Sequence, residues 1–207
     1  MSGIAVLHLD ESCLGNGREG ENPGGGGGLI EARSGSRRIQ RRDFYISAPA
    51  TTNNRMALAG ATTALDLLAK KGARLKVLMV SDSQYLVKGM REWVPGWVVR
   101  GWRRKEGPIE NLELWKALLA SSRRHDVQWT WVRGHKGHAK NEYANDLAVK
   151  AAREQIASDG IVESGFGEWL AGKRTKGLYL EYDPDEAFAD LERRLAADEA
   201  FALAEGR

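Results

Sequence analysis

The chain has 207 residues, a formal charge of +3 and a single cysteine, Cys13. That length suits one domain of about 150 residues plus an extension, and it buries a core without covalent staples. One cysteine excludes an intramolecular disulfide framework, and no apolar run approaches the roughly 20 residues that span a bilayer. The N-terminus starts like a strand and lacks the charged and apolar regions of a signal peptide. The expectation is a soluble, cytoplasmic protein, monomeric and without a membrane partner.

In chain order, residues 4–9 predict a buried strand: a short apolar run that ends on Asp10. Glycine then dominates, through Gly15, Gly17, Gly20 and the run from Gly24 to Gly28, and predicts a flexible hairpin connection. No Lys-Ser/Thr pair follows at P-loop spacing, which argues against a phosphate cradle. Strands are expected over 29–32 and 38–46. Thr51-Thr52-Asn53-Asn54 is a helix-start signal, and Leu58, Ala61, Leu65 and Leu68 recur at helical spacing. Residues 75–80 predict another strand, with Ser81-Asp82 at its end. A helical stretch runs through Tyr85, Met90 and Trp93 until Pro95 interrupts it. Pro108 is expected to open the next helix, which carries Leu112, Trp115, Leu118 and Leu119. A strand over 127–132, a Gly-His-rich loop over 134–138 and a helix over about 141–156 follow. Beyond Ser158 the pattern weakens. An acidic amphipathic helix is expected over 185–204, with Phe188, Leu191, Leu195 and Phe201 on its apolar face. The order of elements fits an α/β layer with a βαβ crossover.

Asp10 and Asp82 each close a predicted strand, and ligand sites in open α/β sheets gather at such ends. Carboxylates there can hold Mg²⁺, which takes few protein ligands and fills its octahedron with water and phosphate oxygen. Two such ions about 4 Å apart can activate a water and stabilise the leaving oxygen of a phosphodiester. Taken by themselves, the same two residues read equally well as solvated loop acids.

The neighbouring motifs decide between these readings. Asp10-Glu11-Ser12-Cys13-Leu14-Gly15-Asn16, Thr51-Thr52-Asn53-Asn54-Arg55-Met56, Ser81-Asp82-Ser83-Gln84-Tyr85 and Gly134-His135-Lys136-Gly137-His138, with Asn141-Glu142, occur in this order. Together they resemble the bacterial type 1 ribonuclease H family. Trp93, Trp97, Arg100-Gly101-Trp102 and Asn111-Leu112-Glu113-Leu114-Trp115 extend the resemblance, which covers about residues 4–153. It implies a ribonuclease H-like α/β fold, with a five-stranded mixed sheet of order 32145 flanked by helices. It also implies endonucleolytic hydrolysis of the RNA strand of RNA/DNA hybrids with Mg²⁺ or Mn²⁺, two ions being held when substrate is bound. The expected division is a ribonuclease H-like domain over 1–157 and a partly helical, acidic extension over 158–207. That extension is open to contact with its own domain or with another protein.

The family uses four acids. The first and third map to Asp10 and Asp82, the second to Ala57 and the fourth to Asn145. Alanine cannot bind a metal, and asparagine offers a carbonyl oxygen without charge. Asp146 is one residue on, about 100° around the helix from Asn145. Glu11 stands where the family usually has Gly. It is a candidate for compensation, although a neighbour of Asp10 points to the other strand face unless the strand ends or bulges. The alternative to a weakened nuclease is a protein that binds hybrids without cleaving them.

The resemblance further assigns His135 to proton transfer or product release, a role suited to imidazole near neutral pH. His138 reads as structural. Cys13, Asn16, Asn53, Asn54 and Gln84 are expected along the hybrid's minor groove, where 2′-hydroxyls are read. Thr52, Arg55 and Asn111 match the DNA-phosphate pocket. Trp93 and Trp102, with Arg103, Arg104 and Lys105, match a basic protrusion that holds phosphates without reading sequence. Trp97 and Trp115 read mainly as packing residues.

Overall fold

The computed structural model describes residues 3–15, 22–33, 38–70, 72–134, 137–199 and 201. Asn16, Gly17, Gly20, His135, Lys136 and the end of the last predicted helix lie outside them. The strands β1 (Ile4–Cys13), β2 (Gly24–Arg33), β3 (Ile39–Ala48), β4 (Lys76–Ser81), β5 (Asp126–Trp131) and β6 (Val162–Glu163) form one sheet of order β5-β4-β1-β2-β3-β6. β1 and β3 each run antiparallel to β2 between them, whereas β4 is parallel to both β1 and β5. The sheet therefore has six strands rather than the expected five. The first five keep the 32145 order, and β6 adds to the β3 edge through Arg42 and Asp43. Two residues are too short a run to show an alternating pattern, so the sequence carries little trace of this strand.

The glycine run is a strand, not the flexible connection that composition suggested. Gly24 to Gly28 are buried in β2, paired with β1 on one side and β3 on the other. A side chain at Gly25 would collide with the Ala148 carbonyl, and one at Gly27 with backbone at Ala144 and Ala148. These glycines let α5 (Ala139–Glu154) lie directly on the strand backbone, with Ala144, Ala148, Ala151 and Ala152 turned inward. The helix follows the close approach that small residues on both partners permit.

Alternation along β1 divides the core. Ala5, Leu7 and Leu9 face α1 (Asn53–Ala69), α4 (Leu112–Ser122) and the helical stretch between β4 and α4. Val6 faces the opposite way, with Leu78 and Val80, onto Phe188, Leu195 and Phe201 of the C-terminal extension. Pro95 does not end the helix after β4. α2 (Gln84–Lys88) passes through a π-helical turn, Gly89–Trp93, into α3 (Val94–Val99), with Val94 N–H bonding the Gly89 carbonyl. The wider turn just before proline absorbs the N–H it lacks. Pro108 precedes α4 rather than opening it; Asn111, in left-handed conformation, is the capping residue.

The described residues after 157 pack onto the domain. Ser158 exchanges hydrogen bonds with Tyr45 of β3. α6 (Phe166–Arg174) buries Phe166 and Leu170 against Leu29 and Tyr143. α7 (Pro184–Ala196) covers the β1–β4 face with Phe188 and Leu195. It ends before the expected helix does, and Phe201 is buried beyond it. Among the described residues, no helix is long and apolar enough to cross a membrane.

Candidate active site

β1 extends past the end of β4. Its last parallel partner is Leu9, opposite Ser81, so Asp10 and Glu11 project beyond the β4 terminus while Asp82 begins the turn that leaves it. The end of β1 and the Asp82 turn thus form a notch past the β4 terminus. Asp10 and Glu11 are adjacent and alternate across the strand, yet one ligand oxygen from each lies within 4.8 Å of the others and of one from Asp82. Glu11 thus reaches the centre although its backbone is that of a strand residue. The alternation argument fails here because the neighbouring strand has stopped, leaving no wall between the two faces.

Each carboxylate is held. Asp10 is buried; its Oδ1 accepts from Glu11 N–H at 2.7 Å and its Oδ2 from Asn141 Nδ2 at 2.6 Å. Burial, reinforced by the charges of Asp10 and Asp82, pushes Glu11 up to about 8, against a smaller opposing effect from the Ser83 hydroxyl. Trp131 Nε1 donates to the Asp82 backbone carbonyl at 2.8 Å, fixing the turn. A side chain at Gly134 would collide with the Asp82 carboxylate, so Gly134 is what lets the backbone after β5 pass close to it. A buried cluster of three acids, in which burial and then the neighbouring charges disfavour the Glu11 carboxylate, lacks positive charge. Hard oxygen donors in that state suit a divalent cation such as Mg²⁺ or Mn²⁺.

Ala57 is buried in the core cluster on α1 and contributes nothing to this centre. Asn145 lies one turn beyond Asn141 on the same side of α5. Asp146 is turned toward α6, where it accepts from Trp169 Nε1 at 2.7 Å and lies 3.9 Å from Lys173 Nζ.

Thr52, Asn53, Asn54, Arg55 and Asn111 line one cleft together with Glu110. Thr52 caps α1 by accepting from Arg55 N–H at 3.3 Å, and the buried Asn53 Oδ1 has no partner among the described residues. Asn111 Nδ2 and Trp115 Nε1 both donate to the Tyr85 hydroxyl, at 3.2 and 3.1 Å. The Cys13 thiol donates to the Thr51 carbonyl at 3.3 Å, which ties the end of β1 to the start of α1. Gln84 is exposed at the start of α2.

A second cleft is lined by Trp93, Trp97, Arg100 and Arg104 with Tyr85 and Ile109. Trp93 is half-buried and packs on Tyr85, Trp97 and Trp115, so it belongs to the aromatic core as much as to the surface. Trp102 is half-buried, and Arg103, Arg104 and Lys105 are exposed beside it. Motif reading named Asn141 and Ser83 only as part of the resemblance, without a role, and missed Trp131. No spacing rule marks Trp131, which acts through its indole N–H on a backbone carbonyl.

A mixed sheet with clustered acids at the carboxyl ends of two neighbouring central strands is the architecture of ribonuclease H-like nucleases. The ribonuclease H family model matches residues 3–153, and the chain belongs to that family. It is 42% identical over 149 residues to a ribonuclease H of Pelobacter propionicus, covering 72% of this chain and 84% of that protein. It is 39% identical over 155 residues to a ribonuclease HI of Caulobacter vibrioides, covering 74% and 96%. Among solved structures, LC9-RNase H1, described as a type 1 RNase H with the type 2 active-site motif, is 53% identical. Its TM-score is 0.77, over 83% of this chain and 82% of that one.

Proposed function

We propose that this chain hydrolyses the RNA strand of RNA/DNA hybrids, with divalent cation held by Asp10, Glu11 and Asp82. The observation that carries the reading is the convergence of those three carboxylates. Glu11 supplies from β1 the acid that the family resemblance expected at Ala57. The likeness to a type 1 RNase H with the type 2 active-site motif supports an active site in this chain that departs from the usual type 1 set. Asp10, Glu11 and Asp82 would hold Mg²⁺ or Mn²⁺, two ions with substrate bound; the bound metal would supply activation of a water and neutralisation of the leaving oxygen, so that cleavage leaves 5′-phosphate and 3′-hydroxyl ends.

The chain's own residues do the positioning. Asn141 holds Asp10 through one oxygen, leaving Oδ1 toward the Glu11 backbone. Ser83 orients Glu11. Asn145 offers a neutral carbonyl oxygen in place of the fourth acid. The cleft of Thr52, Arg55 and Asn111 takes a DNA phosphate, and Asn53 Oδ1 accepts from a minor-groove donor. Asn54, Gln84, Asn16 and the backbone at Cys13 complete that groove surface, while Trp102, Arg103, Arg104 and Lys105 hold phosphates further along. His135 moves a proton in the final step. Residues 158–199 belong to the same folded unit rather than to a separate partner-binding tail, supported by the burial of Phe166, Phe188 and Leu195.

Cleavage of an end-labelled RNA/DNA hybrid in Mg²⁺ and separately in Mn²⁺, with Asp10→Asn as the control, tests the reading. Metal-dependent cleavage above that control is expected. Tight hybrid binding with no cleavage above the control would establish the binding-only alternative instead.

A further inference from the structure

Beneath the carboxylate centre lies a second charged cluster that catalysis does not use. Glu31 of β2 is fully buried, on the sheet face that carries His8 and Asp10. His8 Nε2 lies 3.3 Å from Glu31 Oε2, Lys140 Nζ 2.6 Å from the same oxygen, and Arg41 Nε 2.9 Å from Oε1. Lys140 is itself only 4% exposed and donates to the Pro184 carbonyl at 3.0 Å. Arg41 extends to Asp185 at 2.6 Å. Pro184 and Asp185 form the first turn of α7, in the C-terminal extension and outside the family match at 3–153.

Lys140 immediately precedes Asn141, the residue that holds Asp10. Both sit in the first turn of α5, directly after the loop that carries His135 and His138. This first turn has no side-chain cap: His138 occupies the capping position without bonding a backbone N–H. The turn is anchored instead by the Lys140 side chain, driven into the sheet against Glu31 below and the Pro184 carbonyl beside it. Burying an ammonium is costly unless it is paired and hydrogen-bonded, so its two acceptors, Glu31 Oε2 and the Pro184 carbonyl, define where it sits. Its direct neighbour inherits that definition.

We propose that Lys140 is a positioning residue for the metal centre, clamped between Glu31 and the Pro184 carbonyl of the extension so that Asn141 stays on Asp10. The extension is then a working part of the catalytic centre as well as a cover for an apolar sheet face. The inference rests on the reading of Asp10, Glu11 and Asp82 as the cation site, but its central contact exists without a cation. Partners around an acid that binds metal typically change affinity by about 10- to 100-fold when removed.

The test uses the full chain with Lys140→Met, Lys140→Arg, Asn141→Ala and the Lys140→Met/Asn141→Ala pair. In metal-free, ¹⁵N-labelled protein the Asn141 side-chain amide, assigned by its loss in Asn141→Ala, is expected shifted and slowed in exchange by its bond to Asp10. Lys140→Met is expected to return it to the values of a solvated amide, and Lys140→Arg to preserve it. Calorimetric Mn²⁺ binding is expected to weaken by roughly tenfold in both Asn141→Ala and Lys140→Met, with no further loss in the pair. An unchanged Asn141 amide in folded Lys140→Met overturns the proposal, and so does a fully additive pair. Absence of Mn²⁺ binding in the parent protein refutes the cation site alone, and the amide signal still decides the positioning role. If Lys140→Met does not fold, Lys140→Gln, which keeps a polar head on a shorter stem, is read against the same criteria.

Discussion

The indole Nε1 of Trp169 donates to Asp146 Oδ2 across 2.7 Å, binding that acid to α6 and away from the side of α5 that carries Asn141 and Asn145. Asp146 is therefore a structural partner of the extension. Asp146→Asn should leave hybrid cleavage within about twofold of the parent while lowering stability by about 1 kcal/mol, the ordinary value of one exposed charge-assisted bond. Asn145→Asp should act oppositely, tightening Mn²⁺ binding by about tenfold through an added carboxylate. Calorimetric titration of both variants separates the two positions. Tighter metal binding by the parent than by Asn145→Asp would remove Asn145 from the site.

The approach of Glu11 to Asp82 makes a different test available. Glu11→Gln should lower the cleavage rate by about 100-fold, since one lost metal-binding carboxylate is worth on the order of 3 kcal/mol of barrier. Ala57→Glu alone should not raise activity, because it adds a fourth acid where burial, with the charges of Asp10 and Asp82, already pushes Glu11 up to about 8. Moving the acid, by Glu11→Gly together with Ala57→Glu, should recover at least a tenth of the parental rate. A swapped enzyme no better than Glu11→Gly would mean that α1 cannot present an acid to this notch.

How much of this was legible in the sequence differs from residue to residue. Asp10 and Asp82 could be placed because a buried apolar run that stops on an acid marks the carboxyl end of a central strand. The relation of Glu11 to them could not, since strand alternation predicts the wrong face. Only the length of β4 relative to β1 corrects it. The glycines at 24–28 misled for a related reason: composition reports conformational freedom, whereas their use here is the close approach of α5. Phe188 and Leu195 showed their helical spacing, yet nothing local said which surface they cover. Lys140 was invisible as a buried residue, because lysine is almost never fully buried unless paired and its partner Glu31 is distant in sequence.

Cation binding should release a proton. Near pH 7 Glu11 is mostly protonated in the metal-free protein, its acid raised to about 8 by burial and by Asp10 and Asp82, and a bound cation requires the carboxylate. Calorimetry at pH 7 in buffers of different ionisation enthalpy should report close to one proton released per protein on Mn²⁺ saturation. The value should fall toward zero at pH 9 and in Glu11→Gln. Buffer-independent heats at pH 7 would place the proton elsewhere.

Glu31 should impose acid sensitivity on the fold. Burial alone would raise its acid, but the hydrogen bond from His8 and the charge of Lys140 bring it down to about 2, against an ordinary 4.5. A depressed carboxyl stabilises the folded state fully above the unfolded value and loses that contribution as pH falls through the folded one. The window is therefore from about 4.5 down to about 2. At about 1.4 kcal/mol for each tenfold change in proton equilibrium, the contribution lost is on the order of 3 kcal/mol. Melting temperatures measured from pH 6 to pH 2 should fall steeply in that window for the parent. Glu31→Gln should melt lower at pH 6, because it leaves Lys140 without its anion, and should show a shallower decline below pH 4.5. Parallel curves for the two proteins would mean that other carboxylates carry the acid response and that the Glu31 cluster is neutral in the folded state.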